Sequence, residues 1–164
     1  MKTELLSRRA ALLLGLTLAL PAAAHEPHEL KIEAPWARAT AGAARTAAGY
    51  LAIVNAGNHA ERLVAASSPA AGRVELHEMA TVDNVMRMRP LPAGIDIPSG
   101  RTTELKPGGL HLMFLDLKAP FVRGAKVPVV LTFEHTGDIK VELEVRDLRA
   151  GPPEAGARGH GHGH

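Results

Sequence analysis

The sequence predicts an all-β domain, a Greek-key sandwich or barrel. Several stretches alternate apolar and polar residues with period two. Gly and Pro interrupt the chain at short intervals, and helical periodicity is poor. Seven or so short strands at this spacing fit a two-layer or closed β architecture.

Residues 1–24 read as a secretory signal. Lys2, Arg8 and Arg9 precede an uncharged run over 10–20, and Pro21-Ala22-Ala23-Ala24 supplies small residues for cleavage. The run is too short to span a hydrocarbon core of ~30 Å. Cleavage after Ala24 makes His25 the new N-terminus and places the protein in the periplasm, without stable membrane insertion. Residues 25–150 then form the domain. Strands are expected at 50–54, ended by Asn55-Ala56-Gly57, at 60–66, at 73–82 and at 85–91. Gly94, Pro98-Ser99-Gly100 and Pro107-Gly108-Gly109 mark breaks, and a further strand covers 109–116. Val127, Val129, Leu131 and Phe133 make one apolar face, and residues 139–146 alternate four apolar residues with four charges. Residues 151–164 carry no core pattern and read as a flexible, His-rich tail.

Composition excludes whole classes of function. The 164 residues contain no Cys. A disulfide scaffold, a thiolate zinc site, an iron–sulfur ligand set, a catalytic thiol and a blue-copper site all need one. With Lys2, Arg8 and Arg9 set against Glu4, residues 1–24 carry the whole formal net charge of +2. The rest is neutral and has no dense basic stretch, so it offers no footprint for nucleic acid.

The chemistry concentrates in His and Met. Met79, Met86, Met88 and Met113 crowd into a short part of the chain, and two of them follow a His by two residues. In a strand, i and i+2 share a face, so His77 lies with Met79, and His111 with Met113. With Asp83-Asn84 as a two-residue turn, Met79 sits opposite Met88 and His77 lies diagonal to Met88. Val74 and Leu76 supply the core face of one strand, and Leu110, Leu112 and Phe114 that of another. The His and Met residues are left on the opposite face. A third strand beside the hairpin closes a His/Met cluster. Neutral thioether and imidazole donors favour Cu(I) over Zn(II), Ni(II) or iron.

These residues resemble the signature of the periplasmic copper chaperones called PCuAC: His77, Met88, His111 and Met113, spaced His-x10-Met-x22-His-x-Met. Pro35-Trp36-Ala37-Arg38, Ala48-Gly49-Tyr50-Leu51, Val85-Met86-Arg87-Met88-Arg89-Pro90 and Lys106-Pro107-Gly108-Gly109 agree with that family as well. The similarity covers about residues 30–147. It implies a cupredoxin-like β-barrel that binds one Cu(I) through the four named residues. It also implies delivery of copper to a cytochrome oxidase copper centre, through a copper-receiving periplasmic protein or an oxidase subunit. In that pattern Met79 is an optional extra ligand, and Met86 either stands behind the ligands or packs.

Two further groups bear on copper. His160, His162 and His164 alternate with Gly and suit a second site, for Cu(II). His25 and His28 make a weaker case, resting on a free amine beside imidazole once residues 1–24 are removed. His59 and His135 fall in turns and are assigned to solvent. The expected function is therefore that of a monomeric copper carrier, not an enzyme. Copper sequestration without a dedicated client is the alternative, because it uses the same ligands.

Overall fold

The computed structural model describes residues 30–147, which form ten β-strands and no helix. In chain order they are β1 (Leu30–Arg38), β2 (Thr46–Asn55), β3 (Glu61–Ser67), β4 (Ala71–Val82) and β5 (Val85–Pro90). These are followed by β6 (Ile95–Ile97), β7 (Thr102–Leu105), β8 (Leu110–Leu117), β9 (Lys126–Phe133) and β10 (Gly137–Arg146). The signal segment, His25, His28 and the tail with His160, His162 and His164 lie outside the described residues.

Seven strands close a barrel in the order β4-β8-β2-β1-β10-β9-β3, and β3 returns to β4 through Ala66 opposite Val74. Neighbours run antiparallel except β1 and β10, which are parallel. Three short strands attach outside this ring: β5 to β4, β6 to β3 and β7 to β2. Closure removes most of the open edges that would otherwise template aggregation.

The alternation read from the sequence produces this arrangement. Val129, Leu131 and Phe133 of β9 point inward with Leu143 and Val145 of β10. Leu76 of β4 and Leu112 and Phe114 of β8 join them, and Leu110 and Val74 pack at the margin. Each fully buried Leu, Val or Phe contributes about 1.5–3 kcal/mol relative to exposure, so this inward row dominates the stability.

The seven expected strands are all present, within a few residues at each end. β1, β6 and β7 were not anticipated. β1 carries a register shift between Glu33 and Trp36, with Ala34 at φ 47°, which breaks its alternation. β6 and β7 are three and four residues long, too short for a periodic signal.

Candidate metal centre

The centre lies on the outer face of the barrel, where β5, β4, β8 and β2 run side by side. Asp83 and Asn84 both have positive φ, 51° and 60°, as a tight primed hairpin turn requires. That turn fixes the β4–β5 register and sets Met79 opposite Met88 and His77 opposite Pro90. The β8 strand supplies the third side: His111 is directly opposite His77, and Met113 opposite Glu75. The two imidazoles form one row across the sheet, between the Met79/Met88 row and the Met113 row. Their ring centroids are 5.8 Å apart, edge to face.

The row continues into the molecule. Tyr50 of β2 lies 6.5 Å from the His111 ring, and Trp36 of β1, paired with Tyr50, lies 4.6 Å beyond. Trp36 and Tyr50 are buried, yet they stand apart from the apolar barrel interior. They wall one side of the histidine pair. Burial pushes the Tyr50 hydroxyl above its ordinary value, against the pull of the Arg38 charge.

Among the described residues, four polar side chains are buried: Asn55, Glu61, His77 and His111. Asn55 is spent on the loop, donating to the carbonyls of His59 and Ile97 and accepting from Gly57 N–H. Glu61 accepts from the backbone N–H groups of Arg62, His135 and Thr136 and from the Thr136 hydroxyl. The histidines, 8% and 5% exposed, are only half used. His111 Nδ1 lies 3.0 Å from the Gly109 carbonyl, which can only accept, so Nδ1 carries the proton and Nε2 keeps its lone pair. His77 Nε2 lies 2.9 Å from the Glu75 carboxylate, and His77 Nδ1 is buried with no partner. Burial holds His111 below the ordinary imidazole value, which keeps the ring neutral. The Gly109 hydrogen bond works against this shift and the neighbouring His77 works with it.

The donor set is chemically narrow. Among the described residues no group of three His, Asp or Glu side chains could hold a metal ion. Two imidazoles flanked by thioethers are poor hosts for Ca(II) or Mg(II), which need oxygen, and good hosts for a soft ion of low charge.

The residues expected to act together are thus brought to one face. Met113 and Met79 are half-buried, and Met88 is 47% exposed. Met86 departs from one of its two expected roles: it does not pack, being 61% exposed on the outer strand among the described residues, while a place behind the ligands is untested. His59 is exposed in its turn, as expected. The His135 ring is also exposed, though its Nδ1 lies 3.1 Å from Glu61. Sequence reasoning passed over Glu75, Tyr50 and Trp36 as parts of the site. Glu75 had a usable signal, because it precedes His77 by two residues and therefore shares its face.

Comparison with known proteins gives a consistent picture. The family model described as "Putative lipoprotein LpqE-like" matches residues 30–145. A putative lipoprotein of Leifsonia xyli subsp. xyli is 37% identical over 146 residues, covering 85% of this chain and 87% of that protein. Among solved structures, the apo PCuAC domain from PmoF1 matches with a TM-score of 0.62 and 27% identity, over 73% of this chain and 94% of that one. The Cu(I) form of DR1885 from Deinococcus radiodurans matches with a TM-score of 0.54 and 25% identity, over 79% and 81%. The cupredoxin-like barrel implied by the sequence resemblance is the fold the chain has.

Proposed function

The chain belongs to the LpqE-like family, and from that premise we propose that it is an exported copper carrier. It holds one Cu(I) through His77, His111, Met113 and Met88, with Met79 as an auxiliary thioether. The observation that carries this reading is the buried histidine pair, each ring with one nitrogen engaged and the other without a partner among the described residues, flanked by Met113 on one side and Met79 and Met88 on the other. Two similar structures support it, one an apo PCuAC domain and the other the Cu(I) form of DR1885.

Two imidazoles and two thioethers bring no negative charge, so Cu(I) keeps its single positive charge in the site. Such a site gives a soft ion enough affinity for transport and leaves it free to exchange. The exposed Met88 is the ligand an incoming donor displaces first. Transfer by ligand exchange forms one copper–ligand bond as another breaks and moves no electrons. The receiving protein is a periplasmic one, and by the PCuAC resemblance its client is a copper centre of cytochrome oxidase. His160, His162 and His164 provide a second site, for Cu(II), with His25 and His28 as weaker candidates for the same ion.

The test is an anaerobic Cu(I) titration against a chromophoric competitor. His111→Ala and Met113→Leu each lower the Cu(I) affinity by at least ~100-fold, since losing a ligand costs more than the ~10–100-fold of losing a group behind one, with an unchanged circular dichroism spectrum. Near-normal affinity in either variant contradicts the ligand set. Incubating the loaded protein with an apo oxidase copper domain then reads delivery directly, and copper retained by the carrier favours sequestration.

A further inference from the structure

We infer that Glu75 is a positioning residue for His77, and that the site presents unlike nitrogens to its metal: Nδ1 of His77 and Nε2 of His111. This rests on the Cu(I) reading above.

An ionised carboxylate can only accept a hydrogen bond. Glu75 Oε2, 2.9 Å from His77 Nε2, therefore fixes a proton on Nε2, so that the neutral ring a metal needs has its lone pair on Nδ1. That Nδ1 is buried and has no partner among the described residues. A buried acceptor left unmade is costly, and the cost is recovered when a ligand fills it. On the opposite strand the assignment is reversed. The Gly109 carbonyl takes the Nδ1 proton of His111 and frees Nε2. A carboxylate or carbonyl behind a metal-binding imidazole sets both its tautomer and its orientation.

Glu75 is itself held in place. Its other oxygen accepts from Arg73 Nε at 2.9 Å, and Arg73 reaches Asp116 at 3.2 Å. Asp116 also takes a hydrogen bond from Arg45 at 3.2 Å. This chain runs along the outer face of β4 and β8 toward the end of β8. Its members are exposed and each pair is individually weak. Their joint effect is to orient the Glu75 carboxylate rather than to stabilise the barrel.

The experiment is long-range proton–nitrogen correlation NMR on protein labelled with nitrogen-15 histidine, first without metal and then with one equivalent of Cu(I). The metal-free wild type shows His77 protonated on Nε2 and His111 on Nδ1. Cu(I) shifts His77 Nδ1 and His111 Nε2. Glu75→Ala makes His77 a tautomer mixture and lowers Cu(I) affinity by about 10–100-fold, the usual cost of losing such a partner. A His77 protonated on Nδ1 without metal, a Cu(I) shift at His77 Nε2, or a Glu75→Ala protein with wild-type tautomers and affinity overturns the inference alone. Cu(I) that shifts neither ring overturns the site reading as well, and the inference falls with it.

Discussion

At the scale of single residues, the barrel separates polar groups that hold loops from those that serve the site. Glu61 is the clearest of the first kind. Burial alone would raise its carboxyl, but hydrogen bonds from Arg62, Thr136 and His135 outweigh that and bring it from 4.5 to about 2. A carboxyl with a lowered folded value stabilises the protein fully above its unfolded value, and that contribution is lost as pH falls through the folded one. Glu61 therefore contributes on the order of 3 kcal/mol near neutral pH, lost between about pH 4.5 and pH 2. Glu61→Gln is expected to lower neutral stability by a similar amount and to flatten the acid limb of a denaturation profile over that window. A variant whose acid limb matches the wild type contradicts this. The histidine pair was legible as residues but not as a pair. Sequence placed each ring on a non-core face through its strand's alternation. The direct opposition of His77 and His111 depends on the β4–β8 register, which joins strands with three others between them in the chain. The role of Glu75 went unread because a carboxylate on a solvent-facing strand looks like ordinary surface charge.

At the scale of elements, β2 is the strand that permits the site to be built. Its Gly49 sits between the inward residues Ala47 and Leu51. A Cβ there would meet Leu143 Cδ2 at 2.7 Å and Phe114 Cε2 at 2.8 Å. Both contacts are tighter than van der Waals distance, and neither ring nor branch can retreat in a close-packed interior. Gly49→Ala is expected to destabilise by about 1–3 kcal/mol, read as a drop in Tm. Because Phe114 is the β8 neighbour of Met113, the same variant should also weaken Cu(I) binding. A Tm at or above that of the wild type contradicts the packing account. The β4–β5 hairpin was readable in full: the Asp83-Asn84 turn and the pairing of Met79 with Met88 follow from period-two arithmetic and turn chemistry. β1 was not readable, because a bulge at Ala34 shifts its face partway along.

At the scale of the whole molecule, the fold keeps structure and site on opposite faces of one sheet. Leu76, Leu112 and Phe114 face inward and fill the barrel. His77, His111 and Met113, one residue along the same strands, face outward. Substitutions of the proposed ligands are therefore expected to remove metal binding while the core remains packed, as the proposed carrier role would need. The all-β class was legible because inward positions are aliphatic and outward ones polar on almost every strand. Closure into a barrel was legible through the family resemblance and not through the alternation, since it rests on non-local pairings such as the parallel β1–β10 contact and the narrow β3–β4 seam.

The central claim is that Cu(I) sits on the His/Met face of the barrel. X-ray absorption on protein loaded anaerobically with one equivalent of Cu(I), beside a variant cut after Gly151, tests it most directly. The account predicts sulfur as well as nitrogen scattering around copper, unchanged by the truncation. Nitrogen-only scattering that disappears with the tail would place the metal on His160, His162 and His164 and contradict it.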